Sequence, residues 1–481
     1  MSQSNLLVIL SDEHQARAMG CAGHPFAQTP NLDRLAERGT MFTNAYTPSP
    51  ICVPARASFA TGRYPHQTRL WDNAMPYMGQ IPGWGHALQR SGIPVESIGK
   101  LHYRDENDPA GFDVEHIPMN VVGGVGMVWA SIRAEDERVD APGRMLGDYI
   151  GPGNSKYTDY DAAVTARTKA WFEDRAASGD TRPWCLYVGL VAPHFPLVVP
   201  QEFYDLYPHD ILPVPKLHPR DGYQRHQWVE KQNAFMNSEG KFRDEDERLA
   251  AIASYYGLCS WLDSNVGEIL TGLDTSGFGE NTTVVYSSDH GDNVGARGLW
   301  GKSNLYQEST AIPMIMAGKG VPKGRCQTPV SLLDLSATIA EHFDCTLNGA
   351  EGIRSLVDIA TEPDNPDRPV FSEYHAAGAV SGAFMLRKGR WKYHHYIGFE
   401  PELFDLQEDP EELHDLAGDP AHACNLAMME QALRDICDPD EVNRQAFEDQ
   451  AAMIARLGGR KAALKLGAPG ATPPPTLDRT Q

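Results

Sequence analysis

The chain has 481 residues, of which 41% are hydrophobic and 22% are charged. This length fits two to three domains, or one large α/β domain with a small appendage, and the composition supports a sizeable core rather than wholesale disorder. The formal net charge is −22, because 64 Asp and Glu residues outnumber 42 Lys and Arg residues. Such an acidic chain repels phosphate backbones and anionic lipids, so the sequence predicts no binding to nucleic acid and none to a membrane.

The N-terminus and the cysteines favour a cytoplasmic protein. No run of about twenty apolar residues is present that could span a bilayer. The opening stretch MSQSNLLVILSDEHQ lacks a basic segment and runs straight into acidic residues, so we interpret it as a first β-strand rather than a signal peptide. The eight cysteines are scattered and form no Cys-x-x-Cys pair, which argues against a zinc ribbon or a disulfide scaffold and predicts a reducing cytoplasm.

Short apolar runs alternate with helical patterns along the first part of the chain. Runs that are apolar throughout are typical of buried parallel strands, and they occur at Leu6–Leu10, Val95–Ile98, Trp184–Val191 and Thr283–Tyr286. Thr29-Pro30 followed by LDRLAER and Gly39 predicts a helix with its start and stop signals, and Asp244 to Leu273 shows helical spacing of apolar residues. The alternation predicts an α/β fold with a large, doubly wound, mainly parallel sheet flanked by helices.

The character of the sequence changes near Pro366. The stretches FMLRKGRWKYHHYIG and ELFDLQEDPEELHDLA predict short antiparallel strands followed by helices, and the final residues GAPGATPPPTLDRTQ are Pro-rich. We therefore predict a catalytic domain at 1–365, a smaller C-terminal α+β subdomain at 366–460, and a Pro-rich C-terminal arm at 461–481.

Polar residues follow each predicted strand. In open α/β sheets, ligands bind beyond the carboxyl ends of the strands, so these residues are expected to meet at one edge. Oxygen-rich donors of this kind suit Ca²⁺ or Mg²⁺ better than Zn²⁺, although a polar turn after each strand is the alternative interpretation. The residues in question are Asp12, Glu13, Lys100, His102, His194, Asp289, His290 and Asp292.

A further segment, PICVPARAS, places a cysteine before a helix. Pro54 can open a helix, which puts Cys52 at the helix N-terminus, where partial positive charge favours an anion or a thiolate. A small buried cysteine preceding a helix is the alternative. Cys52 differs from the other cysteines in being followed by x-Pro-x-Arg.

Cys52-Val53-Pro54-Ala55-Arg56 matches the signature C-x-P-x-R of the formylglycine-dependent type I sulfatases, and the chain resembles that family, within the alkaline phosphatase superfamily, over nearly its whole length. Further stretches match in the family's order: NLLVILSDE, TPNLDRLAERGTMFTNAY, GKLHY, APHFP, SSDHGD, GLWGKSNLYQEST and LFDLQEDPEEL. WDNA, GKLHY and SEYHAAG are similar to the choline-sulfatase branch, with arylsulfatases and phosphonate monoester hydrolases as neighbours. The resemblance implies an alkaline phosphatase-like fold.

The resemblance also implies a chemistry. Cys52 would be converted to formylglycine by a separate formylglycine-generating enzyme, and the hydrated aldehyde would present two hydroxyls beside a divalent metal ion. One hydroxyl would attack the sulfur of a sulfate ester, and the other would lose its proton as sulfate is eliminated. Ca²⁺ is the expected metal, with Mn²⁺ or Mg²⁺ as alternatives.

Individual roles carry over by matching position. The implied metal-site residues are Asp12, Glu13, Cys52, Asp289 and His290, with Glu13 standing where the family usually has Asp or Gln. The implied catalytic residues are Arg56, which orients the nucleophile, Lys100 and Lys302, which neutralise sulfate oxygens, His102, the base for elimination, and His194, the acid for the leaving alcohol. Asn73 would contact a sulfate oxygen or the leaving group.

The substrate is the least defined feature. A small-molecule sulfate monoester is expected, either aryl or small alkyl of the choline type; for a quaternary ammonium, Trp71, Trp129 and Glu373 are the candidates. The alternatives are a phosphonate monoester hydrolase or phosphodiesterase using the same site, a catalytically inactive sulfatase-like binding protein, and a cysteine hydrolase using the free thiol. The Pro-rich arm could also reach a neighbouring subunit in a homo-oligomer.

Overall fold

The computed structural model describes residues 4–134, 137–141, 144–468 and 470–476. Its strands are β1 Asn5–Asp12, β2 Thr40–Phe42, β3 Ala45–Tyr46, β4 Val95–Lys100, β5 Val114–Met119, β6 Gly151–Pro152, β7 Cys185–Pro193, β8 Val198–Val199, β9 Thr282–Ser288, β10 Met314–Ala317, β11 Gly324–Cys326, β12 Val330–Ser331, β13 Val370–Tyr374, β14 Ala383–Lys388, β15 Trp391–Tyr396 and β16 Glu402–Asp405.

Helices lie between many of these strands and after the last one. They are α1 Pro30–Arg38, α2 Cys52–Thr61, α3 Pro65–Thr68, α4 Trp84–Arg90, α5 Lys156–Ala177, α6 Gln201–Tyr204, α7 Gln227–Ala234, α8 Glu245–Thr275, α9 Gln307–Thr310, α10 Leu332–His342, α11 Leu356–Thr361, α12 Ala423–Arg434, α13 Pro439–Arg456 and α14 Arg460–Ala463. No helix in the part of the chain that the structure describes combines the length and apolar surface needed to cross a bilayer.

Eight strands form the main sheet, in the order β11-β2-β10-β9-β1-β7-β4-β5. β1 pairs in parallel with β7 and β9, and β4 pairs in parallel with β7 and β5, whereas β10 runs antiparallel to both of its neighbours. Every residue of β1, β7 and β9 is buried, as expected for strands covered on both faces. The predicted doubly wound, mainly parallel sheet is confirmed.

Alternate residues of the strands enter two separate cores. Leu7 and Ile9 of β1 pack with residues of α1, α5 and α8, while Leu6, Val8 and Leu10 pack with residues of α2, α4 and α10 on the other face. Because β1, β4, β7 and β9 are parallel, their carboxyl ends lie at one edge of the sheet. That edge receives the polar residues that the sequence places after each strand.

The C-terminal region forms a second sheet. β13, β14, β15 and β16 are antiparallel neighbours, and Phe384, Leu386 and Tyr393 pack against Met429 and Leu433 of α12. Antiparallel strands followed by helices agree with the α+β pattern predicted for this region, while the domain boundaries at 365 and 460 stay a prediction.

Candidate active site

Cys52 lies at the centre of the polar edge. It is the first residue of α2, preceded by extended Ile51, so its side chain projects from the N-terminal end of that helix. The Cys52 Sγ is 3.2 Å from His290 Nε2 and 3.6 Å from Asp12 Oδ1, and the residue is 1% exposed. The cysteine predicted at a helix N-terminus therefore contacts the last residue of β1 and a residue that follows β9.

Four donor atoms converge around this cysteine. One ligand atom from each of Asp12, Cys52, Asp289 and His290 lies within 4.8 Å of all the others, and all four residues are buried. His290 Nδ1 donates to the carbonyl of Gly291 at 3.1 Å, which leaves the lone pair of Nε2 directed at the cluster.

Buried cations hold the carboxylates in place. Arg56 Nε donates to Asp289 Oδ2 at 2.7 Å, and an Arg56 Nη donates to Asp12 Oδ2 at 3.1 Å. Lys100 Nζ lies 2.6 Å from the same Asp12 oxygen. Burial alone would raise the pKa of the Asp12 carboxyl, yet the adjacent Lys100 and Arg56 cations hold it well below its usual range. Asp12 is therefore ionised and able to bind a cation.

Glu13 lies beside the four-donor cluster and is not one of its members. Its Oε2 is 2.8 Å from Lys302 Nζ and 3.4 Å from His194 Nε2, and with Asp12 and His194 it forms a second group of potential ligands. Burial raises the pKa of the Glu13 carboxyl well above its usual value even though the Lys302 ammonium opposes that shift. Asp292, by contrast, accepts hydrogen bonds from the backbone of Val294 and Gly301, as a turn residue does.

The donor set fits a divalent cation. Ligand atoms of two aspartates and one imidazole lie close together, and Glu13 Oε1 is buried without a hydrogen-bond partner among the described residues. Buried carboxylate oxygens without partners are costly, and a hard cation would satisfy them.

A cavity of about 60 Å³ opens beside Cys52. The predicted catalytic and substrate-binding residues at its wall are Cys52, Asn73, Lys100, His102, His194 and Lys302. Asn73 Oδ1 accepts the amide of Val53 at 3.2 Å, which fixes Asn73 at the N-terminus of α2. The remaining wall is mostly apolar and includes Met127, Met145, Phe195, Phe235 and Met236.

Both histidines of the cavity are neutral in this environment. Burial, reinforced by Lys100, lowers the pKa of His102 well below its usual value, and burial with Lys302 does the same for His194. His194 Nδ1 lies 2.6 Å from the carbonyl of Phe195, so that nitrogen carries the proton and Nε2 faces the site. His102 has a positive φ of 60°, a strained conformation for a residue other than glycine and one that is common at functional sites.

The electrostatics of Cys52 disfavour its use as a free thiol. Burial and the adjacent Asp12 carboxylate raise the pKa of the thiol to about 12. Because the thiolate is the nucleophilic form, an unmodified Cys52 would react poorly at neutral pH, which argues against the cysteine-hydrolase alternative.

The three residues that the sequence predicts to bind a quaternary ammonium group do not line the cavity. Trp71 donates its indole N–H to Asp449 at 2.7 Å, and Trp129 donates its own to the carbonyl of Ala468 at 2.9 Å. Glu373 is buried between two histidines and bonded to both. Each of these side chains is engaged in packing or hydrogen bonding elsewhere.

The cavity also contains residues that the sequence reasoning missed. Tyr157, Phe235 and Thr472 line it, and they come from three distant parts of the chain. Phe195 directly follows His194 just after the end of β7, and this position in the sequence could have indicated that Phe195 lines the cavity. The others depend on tertiary packing of loops and of the C-terminal segment.

Comparison with known proteins agrees with this site. The family model described as "Sulfatase" matches residues 4–345, more than two thirds of the chain, and the model "N-sulphoglucosamine sulphohydrolase, C-terminal" matches residues 295–438.

The chain belongs to the sulfatase family.

Among its relatives, the choline-sulfatase of Rhizobium meliloti is 32% identical over 445 residues, covering 90% of this chain and 86% of that one. Arylsulfatase K of Danio rerio is 28% identical over 474 residues, covering 92% and 85%. The solved structure of the phosphonate monoester hydrolase of Silicibacter pomeroyi superposes with a TM-score of 0.72 at 25% identity, covering 90% of this chain and 95% of that one. The fold is thus alkaline phosphatase-like, and the protein is a sulfuric ester hydrolase, as the sequence predicted.

Proposed function

We propose that this sulfatase hydrolyses sulfate monoesters of small, largely apolar alcohols, using Cys52 converted to formylglycine beside a divalent cation. One observation carries the proposal: Cys52 belongs to the buried donor cluster and also lines the largely apolar cavity. A reactive group at this position would touch a cation on one side and the ester on the other.

The cation would be held by Asp12, Asp289, His290 and the modified residue 52, with Glu13 adding an oxygen from the side of Lys302. The oxygen-rich donor set suits Ca²⁺, Mg²⁺ or Mn²⁺ better than Zn²⁺, and of these we propose Ca²⁺. When present, the cation and the hydrated formylglycine supply a Lewis acid and an activated hydroxyl nucleophile.

The sulfate group would lie between the two lysines of the cavity. Lys100 and Lys302 are buried, and the Glu13 carboxyl, 2.8 Å from Lys302 Nζ, raises the pKa of Lys302 against the effect of burial. Two fixed ammonium groups would neutralise the charge that develops on the sulfate oxygens. Arg56 would hold the carboxylates, and Asn73 would contact the sulfate or the leaving oxygen.

Two histidines would move the protons. His194 presents Nε2 to the site, opposite Glu13 and Asp12. The negative charge of a bound sulfate ester would favour a second proton on this nitrogen, and we assign His194, protonated in that way, as the donor to the leaving alcohol. We assign His102, neutral and lining the same cavity, as the base that takes a proton when sulfate leaves.

The leaving alcohol would occupy the apolar part of the cavity. Methionine and phenylalanine walls and a volume of about 60 Å³ favour a short alkyl or single-ring aryl group over a charged oligosaccharide. The similarity to a choline-sulfatase supports choline sulfate as one member of the test panel, although the predicted ammonium-binding residues lie elsewhere.

A phosphonate monoester or phosphodiester hydrolase is the second candidate. The likeness to a phosphonate monoester hydrolase at 25% identity favours it, and the same lysines could hold a phosphonate oxygen.

Maturation would require a formylglycine-generating enzyme. We propose the cytoplasm as the compartment, since all eight cysteines are free thiols.

The test is a panel of aryl sulfates, choline sulfate, phosphate diesters and phosphonate monoesters, assayed with the matured protein and with Cys52→Ala. We expect the highest kcat/KM on a small sulfate ester and loss of turnover in Cys52→Ala. Faster hydrolysis of phosphonate monoesters would favour the second candidate. Undiminished activity of Cys52→Ala would refute both.

A further inference from the structure

The C-terminal segment, which we define as residues 466–468 and 470–476, folds against the active site of its own chain. Gly470, Ala471 and Thr472 line the cavity beside Cys52. The segment is anchored at Ala468, whose carbonyl accepts from Trp129 Nε1 at 2.9 Å and whose amide donates to Gly126 at 3.3 Å. This part of the predicted Pro-rich arm is therefore a wall of the site.

Thr472 makes the closest contact between the segment and the catalytic machinery. Its Oγ1 lies 2.8 Å from His102 Nε2, and its carbonyl accepts a hydrogen bond from the Tyr157 hydroxyl. All three residues are less than a tenth exposed. The hydroxyl is thus held in a fixed place against one particular nitrogen of the imidazole.

The other nitrogen of that ring is free. His102 Nδ1 is buried and has no hydrogen-bond partner among the described residues. If Nε2–H donates to Thr472, Nδ1 keeps its lone pair and becomes the nitrogen that can accept a proton. A neutral imidazole in this environment needs such a partner to select one tautomer.

We propose that Thr472 is a positioning residue for His102: its hydroxyl accepts Nε2–H and so makes Nδ1 the basic nitrogen. This inference rests on the proposed role of His102. As sulfate leaves, an O–H bond at residue 52 breaks and its proton goes to Nδ1. The freed electron pair closes the C=O bond, and the C–O bond to sulfate breaks with its electrons leaving on sulfate.

Matched variants test the proposal. Thr472→Ser keeps the hydroxyl, whereas Thr472→Val removes it at almost constant shape. We expect Thr472→Val to lower kcat about tenfold, the value of one lost hydrogen bond, with KM nearly unchanged, and Thr472→Ser to stay close to wild type. Slower sulfate release should also leave a burst of one alcohol per active site in Thr472→Val.

A readout independent of turnover is the ring tautomer of His102. Selective ¹⁵N-histidine labelling, with His102→Gln to assign the signal, should show a protonated Nε2 in wild type and Thr472→Ser and mixed tautomers in Thr472→Val. Tyr157→Phe removes the hydrogen bond to the Thr472 carbonyl, so it should also shift the ¹⁵N signal of His102 towards that of mixed tautomers.

Unchanged tautomer and kcat in Thr472→Val at wild-type melting temperature would overturn the inference. If no sulfate ester is hydrolysed by the wild type, the proposed function fails separately, while the ¹⁵N signal still decides whether Thr472 sets the tautomer.

Discussion

Lys302 Nζ lies 2.8 Å from Glu13 Oε2, so the acidic residue that directly follows β1 is paired with a cation of the cavity, while Asp12, the last residue of β1, faces Cys52. The two neighbouring carboxylates therefore differ in what they contact. Asp12 is shared by both groups of potential ligands, whereas Glu13 belongs to one.

This difference predicts unequal effects on metal binding. Asp12→Asn should lower calcium affinity by at least a hundredfold, because it removes the central charge of the cluster. Glu13→Gln keeps an oxygen in the same place and should lower it by about tenfold or less. Calcium titration of the two purified variants by calorimetry checks this, and an equal loss in both would show that Glu13 is as central as Asp12.

Removal of the cation should reduce both activity and stability. Exhaustive chelation removes the cation and leaves the buried carboxyl groups of Asp12, Asp289 and Glu13 without it. Because a ligand that binds the folded state stabilises it, the melting temperature should fall together with turnover. Calcium at about 100 times its Kd should restore about 2.7 kcal/mol. Chelated protein that keeps its turnover and melting temperature would contradict the assigned metal site.

The buried His14 predicts a loss of stability in mild acid. Its ring contacts the Tyr286 hydroxyl and the Ala18 carbonyl, and burial lowers its pKa from 6.5 to about 4. Since the unfolded state then binds the proton more readily, the free energy of unfolding falls as the pH drops from 6.5 towards 4, by at most about 3 kcal/mol.

The matched variant for this effect is His14→Gln, which keeps a donor but does not titrate. Urea unfolding at pH 7 and pH 5 should show a smaller decline for His14→Gln than for wild type. Equal declines in the two proteins would assign the acid sensitivity to other groups.

A buried ion pair of the C-terminal region accepts a hydrogen bond from the main domain. Lys392 Nζ lies 2.6 Å from Glu412 Oε1, and Glu412 Oε2 accepts the amide of Gln307 at 2.8 Å; Lys392 and Glu412 are at most 1% exposed. Lys392→Met removes the closest cation of Glu412 and leaves Arg297, 3.9 Å away, as its remaining partner, so it should destabilise the protein by about 3 kcal/mol.

Lys392→Met combined with Glu412→Gln is the control for that prediction, because it removes both charges. Chemical denaturation should show the double variant to be more stable than Lys392→Met alone. A double variant as unstable as the single one would mean that shape, not charge, causes the loss.

Much of the main sheet could be predicted because its strands are apolar throughout and its polar residues follow directly. The run predicted at Trp184–Val191 is β7, which begins one residue later and continues to Pro193, and Asp244 caps the long helix α8 rather than starting it. These patterns can be recognised in the sequence because they involve only residues that are close together along the chain. Parallel strands place their carboxyl ends at one edge of the sheet, and this arrangement brings Asp12, Lys100, His194 and His290 together.

The leaving-group side of the cavity could not be predicted in the same way. The indole of Trp71 is satisfied by Asp449, which is 378 residues away, and Thr472 reaches His102 across 370 residues. No local pattern encodes such contacts, because they depend on how loops and the C-terminal segment pack on the finished sheet.

The central claim is that Cys52 acts as an aldehyde beside a cation. Its most direct test is the mass of the tryptic peptide that carries residue 52, from protein produced together with a formylglycine-generating enzyme, with turnover of a small sulfate ester measured on the same samples. We predict the mass of formylglycine in place of cysteine, and turnover that rises in proportion to the converted fraction. Full activity in a sample whose peptide carries only unmodified cysteine would contradict the claim.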